Sequence, residues 1–157
     1  AATDSPETRD AEVFAWGAGN VPTLAGNWTV AVDIKQMELG QGSPEDSIVY
    51  VSNLSGITAQ IRRGATGEAV LVCGSATITG SAFDIPVDTW TRVLMTGNGT
   101  NCRLFINGVQ IGSDTAHGGT PLAATDFQVN AAGGLCAHIR NLATYNKYAD
   151  ASSAPYL

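Results

Sequence analysis

From Trp28 to Lys35 the side chains alternate: Trp28, Val30, Val32 and Ile34 face one way, Thr29, Ala31, Asp33 and Lys35 the other. A period of two predicts a half-buried β-strand. The same pattern predicts strands over residues 47–52 (SIVYVS) and 56–63, where Ile57, Ala59 and Ile61 alternate with Thr58, Gln60 and Arg62. Residues 69–73 (AVLVC) are apolar throughout and predict an interior strand. Further strands are predicted over 75–80, 90–96, 126–131 and 137–146. Pro86 cannot donate to a ladder, so 83–89 belongs to an edge or a crossing segment. Residues 17–27, 39–46 and 113–125 read as loops, and no segment carries the period of an amphipathic helix. Many short strands punctuated by Gly and Asn predict an all-β fold, a two-layer antiparallel sandwich or a barrel.

One register is legible directly. Asn107-Gly108 interrupts the apolar run NCRLFINGVQIG at 101–112. Both central residues of a two-residue hairpin turn need positive φ, which Asn and Gly tolerate best. The turn pairs Ile106 with Val109, Phe105 with Gln110, Leu104 with Ile111 and Arg103 with Gly112. Leu104, Ile106, Val109 and Ile111 then share an apolar face, and Arg103, Phe105 and Gln110 a mixed one. A one-residue slip exchanges the faces, so turn and pattern agree.

The 157 residues suffice for one domain, and the polar residues before Val13 divide the chain into an arm (1–12), a sandwich (13–148) and a C-terminal tail (149–157) packed on or beside it. Charged residues make up only 14%, against about 25% in an average chain. Hydroxyl and amide side chains carry the polarity instead. The net charge of −6 argues against nucleic acid as a partner. No apolar run is long enough to span a bilayer as a helix. Cys73, Cys102 and Cys136 are widely spaced and read as small buried hydrophobes. One disulfide plus a free thiol stays open. The scarcity of paired cysteines favours synthesis in a reducing cytoplasm.

Two segments resemble a family. In residues 88–113, Trp90 and Val93 open a strand, and a turn leads to Leu104, Phe105, Ile106, Asn107, Gly108 and Val109. In residues 137–146 Ile139, Leu142, Tyr145 and Asn146 recur at matching places of a closing strand. Both resemble the concanavalin A-like, laminin-G-like jelly rolls, which implies two stacked antiparallel sheets. The sequence departs from many members at Arg140-Asn141, where they carry an acidic pair. It also lacks the alternating carboxylates of members that hydrolyse polysaccharides, so an enzyme is not expected.

Candidate chemistry is sparse. No Gly-x-Ser-x-Gly elbow is present. His138 shares a strand face with Cys136, and a partly buried structural histidine is the preferred reading. His117 sits in a Gly-rich loop and reads as exposed. No cofactor is expected. The resemblance leaves calcium open, with Asp84, Asp88, Asn98, Asn101 and Asp114 as oxygen donors, although Asp and Asn are also the usual turn residues. Trp16, Trp90, Phe105 and Tyr145 are aromatics able to stack on sugar rings. The residues expected to touch a ligand or partner are Trp16, Phe105, Asn98, Asn101 and Arg103.

Two functional expectations follow. The first is a structural module on a virion surface, made in the host cytoplasm, that decorates a capsid or tail. It binds a viral shell or tail protein through its sheet faces and an N-terminal segment, residues 1–16. The second is a lectin-like carbohydrate-binding module, secreted or extracellular, with calcium as an optional helper. Self-association is compatible with either.

Overall fold

The computed structural model describes residues 14–16, 26–37, 45–53, 58–64, 66–119, 124–129 and 137–156. Eleven strands lie among them. They are β1 (Phe14–Trp16), β2 (Trp28–Gln36), β3 (Glu45–Asn53), β4 (Thr58–Gly64), β5 (Ala69–Cys73) and β6 (Ala76–Thr79). Then come β7 (Trp90–Gly97), β8 (Asn101–Ile106), β9 (Val109–Ala116), β10 (Ala124–Val129) and β11 (Ala137–Tyr145). One sheet has six strands in the order β1-β10-β3-β4-β5-β6, the other five in the order β11-β2-β7-β8-β9. Every strand pairing within them is antiparallel. The fold is the all-β, two-sheet sandwich that alternation predicts.

Trp28, Val30, Val32 and Ile34 are buried as their period requires. They meet Val93, Met95, Leu104 and Ile106 of the same sheet and Ile61, Leu71 and Ile78 of the facing one. Cys73 and Cys102 are free thiols inside this core. A hydrogen bond with Cys102, reinforced by burial, pushes the Cys73 thiol far above its ordinary range, so it stays protonated and unreactive. Cys136 lies outside the described residues.

The Asn107-Gly108 hairpin forms with its first three predicted pairs, Ile106–Val109, Phe105–Gln110 and Leu104–Ile111. Asn107 and Gly108 have φ of 49° and 81°. The predicted Arg103–Gly112 pair does not form, because the register shifts between Cys102 and Leu104 and Cys102 falls opposite Thr115. Gly112, at φ 67°, lies within that irregularity. Val109 was predicted to share the apolar face, but at the hairpin tip it is 65% exposed.

Several boundaries differ from expectation, and residues 45–46 and 124–125, read as loop, belong to β3 and β10. Residues 113–116, read as loop, extend β9 as an edge strand. These residues are mostly exposed whichever way they face, so burial imposes no apolar period and alternation could not find them. Residues 14–16, part of the segment expected to dock on a partner, pair instead with β10 of the same chain. Residues 1–13 lie outside the described residues.

A second, smaller cluster sits on the outer face of the five-stranded sheet. Ala31, Leu94 and Phe105 are covered there by Ala149 and Ala154, with Tyr145 alongside. The covering segment is held by polar ties. The Thr29 hydroxyl donates to the Lys147 carbonyl at 2.6 Å, and the Ala149 N–H donates to Thr96 Oγ1 at 2.9 Å. The Arg103 guanidinium donates to the Ala149 carbonyl at 2.9 Å. Asp150 closes the segment by accepting from the N–H groups of Ser152 and Ser153 ahead of a short 3-10 turn, Ala154–Tyr156.

Candidate functional site

The C-terminal segment divides the outer face of the five-stranded sheet in two. Among the described residues one half is covered, and the other is not. Of the five residues expected to make contacts, Phe105 and Arg103 lie on the covered half. Phe105, expected to be accessible on the mixed face, is fully buried beneath the tail. A large ring on a sheet face attracts cover because burying it removes its apolar area from water. Arg103 forks onto Asp114, with Nε–Oδ1 and Nη2–Oδ2 both at 2.6 Å, and lies 4.2 Å from the Tyr148 ring centroid. Its donors hold the tail. Asn98 Oδ1 accepts from the N–H groups of Thr100 and Asn101, both at 2.8 Å, so Asn98 shapes the β7–β8 turn from within and Asn101 begins β8. Trp16 is placed by its backbone, opposite Phe127 on the edge strand β1.

Both histidines are reversed from expectation. His117 is buried, not exposed. Its Nδ1 accepts from the Gly119 N–H, so Nε2 carries the proton given to the Asn98 carbonyl at 2.9 Å. Its own carbonyl accepts from Ser75, next to β6, which ties the two sheets together at one rim. His138 is exposed on β11, not partly buried.

The uncovered half is built from β11, β2 and β7. Register sets Trp90 and His138 on either side of Lys35, and Arg92 and Arg140 on either side of Asp33. Asp33 is the centre. Its carboxylate accepts from Asn141 Nδ2 at 2.7 Å, Arg92 Nη1 at 3.0 Å and Arg140 Nε at 3.3 Å. Burial alone pushes this carboxyl up. The hydrogen bonds from Asn141 and Arg92, the Arg92 charge and the Arg140 hydrogen bond outweigh it and hold the group below its ordinary range.

Asn141 reaches Asp33 because β11 bulges between Arg140 and Ala143. Asn141 takes φ 50° there, a left-handed conformation that Asn tolerates. Its carbonyl also accepts from Arg92 Nη1 at 2.9 Å. The Arg140 guanidinium carbon lies 3.9 Å from the centroid of the Trp90 ring. Trp90 itself is half-buried. At the end of this row Lys35 pairs with Asp88 at 2.6 Å, and Val87 and Met37 stand exposed nearby in sequence.

Such an arrangement offers an aromatic ring, a locked amide and preset charges. It is not an acid–base pair. Asp88 is held below its ordinary range by its hydrogen bond with Lys35 and the Lys35 charge, and Asp33 is lowered as well. A glycoside-cleaving general acid needs the opposite shift. The residues considered for calcium are scattered. Asp84 accepts from the Ser81 N–H, Asp88 is paired with Lys35, Asn98 is in its turn and Asp114 is on Arg103. Among the described residues no three of His, Cys, Asp and Glu gather as ligands.

Sequence reading missed Asp33, Arg92, Arg140 and Asn141 as one group. The available signal was the departure at Arg140-Asn141 from the family's acidic pair, on the strand that pairs with the one bearing Asp33.

The family profile described as the concanavalin A-like lectin/glucanases superfamily matches residues 11–147. A search of curated protein sequences finds no match. Among solved structures the chain is similar to the botulinum neurotoxin serotype D binding domain, at 12% identity and TM-score 0.69, over 94% of this chain and 40% of that one. It is similar to the binding domain of Paraclostridial mosquitocidal protein 1, at 14% identity and TM-score 0.65, over 83% of this chain and 36% of that one. Trypanosoma rangeli sialidase matches at 14% identity and TM-score 0.66, over 83% of this chain and 22% of that one. The chain spans less than half the length of each, and at these identities the likeness is one of fold.

Proposed function

Because the chain belongs to the concanavalin A-like lectin/glucanases superfamily, we propose that it is a non-enzymatic carbohydrate-binding module. Its contact surface is the uncovered half of the outer face of the five-stranded sheet. The observation that carries this reading is the half-buried Trp90, stacked under Arg140 beside an Asp33–Arg92–Asn141 network. Sugars present an apolar ring face edged by hydroxyls, and an aromatic beside fixed donors and acceptors complements both. The network's own hydrogen bonds hold these side chains in place, so little ordering cost remains for binding. That two of the similar structures are binding domains, one of a neurotoxin and one of a mosquitocidal protein, supports a binding role. The virion reading is not carried forward: of residues 1–16, the segment it invoked, 1–13 lie outside the described residues and 14–16 pair with β10.

The test is a glycan array followed by calorimetry on the best binders. Trp90→Ala is expected to weaken binding by about tenfold or more, roughly 1.4 kcal/mol, and to leave the main core intact. A chelator is expected to change the affinity by less than about twofold, since Asp33 and Asp88 are already occupied by cationic side chains. Binding that is indifferent to Trp90→Ala would remove this surface from consideration. An array with no positive glycan would remove the function.

A further inference from the structure

The Arg140 guanidinium is held in two ways. Its face lies on Trp90 at 3.9 Å, and its Nε edge is on Asp33 at 3.3 Å. Among the described residues neither terminal nitrogen of Arg140 has a hydrogen-bond partner. The side chain is 52% exposed. What remains is the end-on fork of the guanidinium, two parallel N–H groups pointing away from the Asp33 edge. That fork matches the two oxygens of a planar carboxylate. A neutral hydroxyl uses only one of its arms.

The local charge agrees. Arg92 and Arg140 face the single carboxylate of Asp33. Two cations against one anion leave one positive charge. Lys35 and Asp88 cancel at the end of the row. The surplus stands out on a chain whose net charge is −6. Asp33 has two donors besides Arg140, so an anion drawing on Arg140 does not leave this carboxylate without a partner.

We infer that this surface selects saccharides bearing a carboxylate, a sugar acid, with the carboxylate on the Arg140 fork and the sugar packed beside the stacked Arg140 and Trp90. The inference rests on the glycan-binding reading above and narrows it to a substrate class.

The experiment uses the full chain and matched glycan pairs on one array: sialylated and desialylated oligosaccharides, uronate oligomers and their methyl esters, and sulfated counterparts. The acidic carboxylate member of a pair is expected to bind about tenfold tighter than its neutral partner, and the preference should shrink as salt rises. Arg140→Gln should abolish the preference, so that the acidic and neutral members of a pair bind within about twofold of each other. Arg140→Lys, which keeps the charge and loses the fork, should recover only part of it. Asp33 keeps Arg92 and Asn141 in both variants, so an unchanged thermal midpoint is expected, and near-UV circular dichroism checks the fold. Neutral glycans binding as well as acidic ones, with loss on Trp90→Ala, would overturn the carboxylate assignment and leave the binding function standing. Preference for sulfate alone would overturn the assignment too. No binding to any glycan would bring down both.

Discussion

At Asp33 three donors from two neighbouring strands converge on one half-buried carboxylate. Removing that charge leaves two guanidinium groups facing each other across the strand. Asp33→Asn is therefore expected to cost about 1–3 kcal/mol at neutral pH. The pH dependence has a definite sign. The folded-state value lies below the ordinary 3.8, so the stabilisation is present above that pH and is lost as pH falls through the lower folded value. The difference between wild type and Asp33→Asn in urea titrations should be constant from neutral pH to about 5 and should close in stronger acid. A gap that persists in strong acid would mean that the carboxylate's charge is not what holds the network. Gly97 is a second residue whose role is local. A Cβ there lies 2.5 Å from the buried Trp28 ring. Only a glycine lets that ring lie against β7.

Among the elements, β11 and the tail do opposite things to one sheet face. The β11 bulge re-aims Asn141 so that its amide and carbonyl meet Asp33 and Arg92. The tail closes the other half, and Arg103 is its main clasp through Asp114, Tyr148 and Ala149. Burial first, and then the Asp114 charge and hydrogen bond, push the Tyr148 hydroxyl up to about 12 against the opposing Arg103 charge, so it remains a donor throughout the physiological range. Arg103→Ala is expected to loosen the tail without unfolding the sheets. Hydrogen exchange should accelerate by about tenfold or more at the Ala149 amide and its neighbours, and remain as it was in β2 and β7 near Asp33. Acceleration across the whole sheet would show that Arg103 supports more than the local contacts of the tail.

For the whole molecule, the two apolar clusters share the five-stranded sheet as a common wall. Val30 and Val32 point into the main core, and Ala31 between them points under the tail. The clusters are thus linked residue by residue along β2, and the molecule should unfold as one unit. Phe105→Ala is expected to cost about 3–5 kcal/mol, an effect typical of a core position. Unfolding followed by far-UV circular dichroism and by tryptophan fluorescence should give coincident curves in both proteins. Separate transitions would mean that the tail cluster melts alone.

Much of this architecture is local in origin and was readable from the chain. The inward set Trp28, Val30, Val32 and Ile34 follows from the pleat, which sends successive side chains to opposite faces. The hairpin register at Asn107-Gly108 follows from the positive φ that few residues accept. What lay beyond reach was the fate of the outer face. Phe105 and Trp90 look alike in sequence, each an aromatic in a strand of mixed pattern. One is sealed by a tail more than forty residues further on, and the other stays half-open under Arg140. The site's contacts join residues 59, 107 and 108 positions apart. Alternation separates inside from outside, because burial acts on every residue of a strand in the same way. It carries no information on which strands become neighbours or where the tail comes to rest. Strand order and the docking of residues 147–156 settled that, and with it which half of one sheet face remained open to a ligand.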